Sequence, residues 1–261
     1  MHNCLVSRVL YLVSRVLVGV TFVFSGFVKA IDPLGTTYKI QDYLEVMQLS
    51  WFSELALVAS FALITAEFLA GMLLITNVNF KLGLWLSSLL MIAMTPLTLW
   101  IALTNPVTDC GCFGDAIILS NWATFWKNIV LDALIIALWL LQKRLYRPWL
   151  TSFPSWVLTI TFSLITIGMG IHSLNNLPII DFRPYKIGND ILEGMELPEG
   201  AVRDQYRTTF IYSRDGIEQE FELQDAPYND STWTFVEQRT ELIAKGEEPP
   251  IHDFSIITPD G

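Results

Sequence analysis

The chain has 261 residues, a formal net charge of −10, 52% hydrophobic and only 16% charged residues, and a mean hydropathy of +0.44. That balance belongs to membrane proteins rather than to soluble domains. No stretch is basic enough to hold nucleic acid, which excludes that class of partner.

The acidity is unevenly distributed. From Leu174 onward there are 18 acidic against 7 basic residues, a net −11, whereas the preceding part carries 8 acidic and 9 basic residues. An apolar, nearly neutral front is joined to an acidic tail.

A helix crossing roughly 30 Å of hydrocarbon needs about 20 apolar residues, and five segments qualify. The first runs from Val9 to Ala30, with Arg15 near its start and Lys29 at its end. Its length, its internal arginine and the lack of an A-x-A site mark a retained helix rather than a cleaved signal peptide. After it, Ile40, Tyr43, Leu44 and Met47 share one helical face and Trp51-Phe52 follows. This reads as an interfacial amphipathic helix with an aromatic belt, serving either as a cap over the cysteine loop described below or as a simple connector. The second span is Leu55 to Thr76 and contains Glu67, and the third is Leu82 to Leu103 with a kink expected at Pro96.

Asp109-Cys110-Gly111-Cys112-Phe113-Gly114 then forms a short polar loop holding the only close cysteine pair. The fourth span, Trp122 to Leu141, carries Lys127 and Asp132, and the fifth, Pro154 to Ser173, opens with a proline suited to a first helical turn. In the tail, Thr208 to Tyr212 and Ile217 to Leu223 flank Asp215-Gly216, the signature of a hairpin. Ser231 to Lys245 suggests a short helix, and Pro249 to Ile257 a strand without a following partner.

Lys and Arg in short loops set orientation. Arg8, Arg15, Lys81, Lys143, Arg144 and Arg147 fall on one side, against Lys29, Lys39 and Lys127 on the other. The N-terminus and Cys4 are therefore expected in the cytoplasm, and the Cys110/Cys112 loop and the tail outside, where disulfides persist. The expected location is a multi-pass protein of the inner (cytoplasmic) membrane.

Three chemistries fit the thiol pair. As a redox dithiol it needs Cα atoms about 4.4–6.8 Å apart, which a turn at Gly111 permits, and a small strained ring would be readily exchanged. As a soft-metal site it lacks ligands, with His172 the only histidine near that face. As an inert staple it closes so short a loop that little entropy is gained. Carboxylates inside apolar spans, Glu67 and Asp132, are costly and default to a functional reading. They could share a proton or hydrogen-bond a quinone-like carbonyl, or Glu67 could merely bond Thr65 or a neighbouring helix and Asp132 pair with Asn128 or Lys127. Gly26, Gly71 and Gly83 read as close-packing positions. The candidate catalytic residues are Cys110, Cys112, Glu67 and Asp132. No metal is assigned, cofactor-binding residues are unassigned, and a membrane quinone is the cofactor considered.

Phe22 to Pro33, with its Ser25-Gly26 and Lys29-Ala30-Ile31-Asp32-Pro33 elements, resembles the first-helix signature of DoxX-like membrane proteins, and Glu67 with Gly71 is similar to that group's second helix. Cys110-Gly111-Cys112-Phe113-Gly114 followed by Asn128 resembles the MauE branch, associated with methylamine utilisation. The resemblance covers Val9 to Leu141. It implies an all-α transmembrane four-helix bundle over residues 1–145, to which residues 146–173 add a fifth span and residues 174–261 a small α+β or β extracytoplasmic tail. Pro250 to Gly261 resembles the opening of a thioredoxin-like domain, which would make the chain stop inside one. The implied role is support of disulfide formation in, or maturation of, an extracytoplasmic partner. The resulting expectation is a membrane thiol–disulfide relay, a thiol-disulfide oxidoreductase if it is an enzyme, acting on a thioredoxin-fold or other thiol protein. The rival is a non-catalytic membrane anchor or assembly subunit.

Overall fold

The computed structural model describes residues 2–107, 110–184, 186–197, 205–214, 216–244, 246, 249 and 251, with side chains from Leu5 onward. It divides into two units, Met1–Arg183 and Pro184–Gly261.

The first unit is helical: α1 (His2–Ile31), α2 (Pro33–Val46), α3 (Ala56–Thr76), α4 (Phe80–Thr104), α5 (Asn121–Leu145) and α6 (Ser152–Asn175). Five segments within it are long and apolar enough to cross a membrane: Leu5–Ile31, Ser50–Thr76, Phe80–Thr104, Asn121–Leu145 and Ser152–Asn175. These are the five spans expected from the sequence, each slightly longer. Their outer faces expose Leu89, Ile92, Leu103, Val130, Leu140 and Leu164, as a lipid-facing surface should. Helix α4 runs on through Pro96.

The core joins α1, α3, α4 and α5 through Tyr11, Val18, Phe22, Leu74, Phe80, Leu84, Met91, Leu131, Ile135 and Leu138. Lipid tails are as apolar as leucine, so close packing rather than burial from water holds such helices together. Small residues supply it between α1 and α3. A Cβ on Gly26 would lie 2.5 Å from the Phe68 backbone nitrogen, and one on Gly71 would lie 2.5 Å from the Gly19 carbonyl oxygen. Helix α6 packs against α3 and α1. Opposite the cysteine loop, Trp149 Nε1 donates to the Thr76 carbonyl at 2.8 Å and Asn79 Nδ2 to Thr159 Oγ1 at 2.9 Å.

Between α1 and α2 the chain turns at Asp32, which caps α2 by accepting from the Gly35 amide at 3.0 Å, while Pro33 occupies the first turn. Ser60 Oγ reaches the Pro33 carbonyl at 3.0 Å. Glu67 sits eleven residues into α3, ~16 Å along it, whereas Lys29, two residues from the end of α1, meets it at 2.7 Å. Helix α1 therefore stops well short of the start of α3, and α2 covers the first turns of α3.

In the second unit, α7 (Ile191–Gly194) is followed by β1 (Gln205–Arg214), β2 (Ile217–Glu222) and β3 (Thr234–Ala244) in an antiparallel sheet of order β2-β1-β3. The expected hairpin is present, with Phe210 opposite Phe221 and Arg214 opposite Ile217, and Gly216 at φ 82° in the turn. The helix expected over Ser231 to Lys245 is instead β3. Its Glu, Gln and Arg residues favour helix, but pairing with β1 along nearly its whole length, Thr208 opposite Thr240 and Ser213 opposite Thr234, overrides that preference. Tyr212 packs edge-on against Phe221 and Phe235 beneath this sheet. The strand and thioredoxin-like opening expected from Pro249 onward lie almost wholly outside the described residues; Ile251, which is described, is not in a strand.

Candidate functional site

The loop between α4 and α5 is fastened at its base. Asn121 Nδ2 donates to Asn105 Oδ1 at 2.7 Å and to the Val107 carbonyl at 3.1 Å, and Ser120 caps α5 by accepting from the Ala123 amide at 3.3 Å. At its tip Gly111 adopts φ 63° and Gly114 φ 50°, left-handed values that favour glycine. The Gly114 amide closes the turn onto the Gly111 carbonyl at 3.1 Å.

This turn brings the Cys110 and Cys112 side chains into hydrogen-bond contact, both as free thiols and half-buried. The Cys110 thiol donates to the Cys112 sulfur, which lowers Cys112 to about 6 against the opposing effect of burial, with Lys127 and Lys29 also favouring its thiolate. The same bond, together with burial, raises Cys110. The pair thus gives up one proton easily and holds the other.

Other helices hold both cysteine carbonyls. Tyr43 of α2 donates its hydroxyl to the Cys110 carbonyl at 2.8 Å, and Ser25 of α1 donates to the Cys112 carbonyl at 2.7 Å. Phe113 packs edge-on against Phe24 with ring centroids 5.4 Å apart, and the Lys127 ammonium lies 4.4 Å from the Phe113 centroid. A Cβ on Gly111 would lie 3.1 Å from Lys39 Cγ.

Below the loop, Lys29 Nζ bonds both carboxylate oxygens of Glu67, at 2.7 and 2.8 Å, and Ser25 Oγ at 3.0 Å. The Lys29 and Glu67 side chains are only 6% and 7% exposed, so each charge depends on the other for its solvation. Ser25 also lies 2.8 Å from Glu67 Oε2. An unbroken chain of contacts runs from Glu67 through Lys29 and Ser25 to the Cys112 backbone.

These residues border one cavity of ≈ 200 Å³. Its wall is mainly apolar, from Phe22, Leu63, Met91, Leu97, Ile101 and Leu131, and its polar lining includes Lys29, Lys39, Lys127, Glu67, Asn128 and the two cysteines. Of the residues singled out from sequence, Cys110, Cys112 and Glu67 meet here. Asp132 does not line the cavity and accepts from Thr95 Oγ1 at 2.8 Å, beside Pro96. His172 is exposed on α6, with Asn176 Nδ2 3.3 Å from its Nδ1.

Sequence reading named Tyr43 only as part of an amphipathic helix that could cap the loop and Ser25 only within the first-helix signature; their bonds to the cysteine carbonyls, and the local role of Lys29 and Lys127, were not read. Lys29 registered there as a topology charge, although a lysine and a glutamate in successive apolar spans have reason to seek each other.

A family model described as methylamine utilisation protein MauE matches residues 7–142. A second, described as a domain of unknown function (DUF8463), matches residues 206–245. No curated protein and no solved structure gives a match.

Proposed function

The chain belongs to the MauE family, and from that premise we propose that it is a membrane thiol–disulfide relay serving the maturation of an extracytoplasmic protein. The observation that carries this reading is the hydrogen-bonded Cys110/Cys112 pair on a turn pinned by Tyr43 and Ser25. A staple would need no cation nearby, whereas a reactive thiolate does, and Lys127 and Lys29 favour the thiolate of Cys112.

In the oxidising direction, a partner thiolate attacks the Cys110 sulfur of a Cys110–Cys112 disulfide. Cys112 departs as the thiolate, the better leaving group of the two. A second partner thiolate then attacks the partner sulfur in the mixed disulfide and releases Cys110. The partner loses two electrons and two protons to form its disulfide, and the relay gains them as two thiols.

A small amine is poorly suited to the cavity. Among the described residues that line it, the one carboxylate, Glu67, is neutralised by Lys29, and Lys127 adds positive charge. The family's link with methylamine utilisation therefore fits a role in preparing a partner protein. The orientation that this requires, with the cysteine loop outside, rests on the Lys/Arg distribution.

Trapping the mixed disulfide tests the reading. Cys112→Ser or Cys110→Ser, but not the double variant, should accumulate a disulfide-linked complex with an extracytoplasmic protein, and a thioredoxin-fold partner would support the relay most directly. If neither single variant traps a partner and the double variant is fully functional, the relay fails and the non-catalytic anchor replaces it.

A further inference from the structure

We propose that the cavity beneath the cysteine turn binds the ring of a lipid-soluble quinone, which exchanges two electrons with Cys110 and Cys112. This rests on the relay reading and names its electron acceptor. A dithiol that oxidises a partner must itself be reoxidised, and the geometry supplies a place for that step. The ≈ 200 Å³ space is lined by residues of α1 to α5 and by both cysteines. It is smaller than the ~300–1,000 Å³ of drug-sized pockets, which suits a single ring system with its tail outside the cavity.

The apolar and the polar parts of the lining match the two needs of such a molecule. Phe22, Leu63, Met91, Leu97, Ile101 and Leu131 offer an apolar bed. The same lining carries the Lys127 ammonium and Asn128 on α5, with Lys29 on α1, ion-paired to Glu67, and Lys39 on α2 also bordering it. Positive charge placed where a ring oxygen becomes an oxyanion lowers the barrier to its reduction. A plain acyl chain would have no use for the polar groups.

The step balances. The Cys112 thiolate attacks a ring carbon, forming a C–S bond and placing the electron pair on a ring oxygen. The Cys110 thiolate then attacks the Cys112 sulfur, the S–S bond forms, the C–S bond breaks, and the second ring oxygen takes up the charge. The two thiol protons finish on the two ring oxygens. Dithiol and quinone become disulfide and quinol.

The test uses the purified full chain, reduced and freed of reductant under anaerobic conditions, with decylubiquinone as the probe. One quinone should be reduced per chain with loss of both free thiols, and Cys110→Ser and Cys112→Ser should abolish this. Filling the cavity from two of its lining helices, with Leu63→Trp on α3 and Met94→Trp on α4, should slow quinone reduction about tenfold while both thiols still react with a small soluble disulfide. Melting midpoints read alongside identify any variant that has lost its fold. If the chain exchanges with a thioredoxin-fold disulfide yet reduces no quinone, the quinone proposal is overturned and the relay stands. If both Trp variants reduce quinone at the unmodified rate, the cavity assignment is overturned. If neither exchange nor quinone reduction occurs, the relay falls and the quinone with it.

Discussion

Cys112 is where local structure becomes chemistry. A cysteine in water titrates near 8.5, but acceptance of the Cys110 hydrogen bond, aided by Lys127 and Lys29, brings Cys112 down to about 6. A thiol lowered in this way is thiolate, and reactive, over the whole interval between those values. The rate of alkylation should therefore rise with pH to half its maximum at about 6, with one thiol per chain reacting first. Cys110→Ala removes the donor, so the midpoint should climb toward the ordinary thiol value. A midpoint near that of free cysteine, unmoved by Cys110→Ala, would show that the hydrogen bond is not made. The cysteine pair was legible from residue identity alone. Its polarisation was not, because the donor geometry depends on the Gly111 turn and the cations come from α1 and α5.

At the scale of elements, α1 and α3 do more than pack. Gly26 and Gly71 let their backbones approach closely enough for Lys29 and Glu67 to meet at 2.7 Å. Breaking a buried pair leaves an uncompensated charge and costs about 3 kcal/mol or more. Lys29→Gln and Glu67→Gln should each destabilise the bundle by about that much in a detergent-unfolding titration, and the double variant by clearly less than their sum. Additive losses would mean that the two charges do not depend on each other. Span boundaries were legible because lipid imposes a long apolar run. The pairing partner of Glu67 was not, since Thr65 and any neighbouring helix competed on sequence grounds. Strand β3 escaped notice for a related reason, its local propensity being outweighed by β1.

For the molecule as a whole, five spans carry the cysteine turn at one end of the bundle, held by α1 and α2 and bordering a cavity lined by α1 to α5. The family match over residues 7–142 covers the bundle from Ser7 in α1 through Gln142 in α5 and leaves α6 outside. The central claim is that Cys110 and Cys112 cycle between dithiol and disulfide on the outer face of the membrane. Intact cells treated with a membrane-impermeant thiol reagent, before and after mild reduction, test it most directly. The relay predicts that labelling of Cys110 and Cys112 increases after reduction, the increase appearing at both residues together. No increase after reduction, with both cysteines reached only by a membrane-permeant reagent, would contradict it.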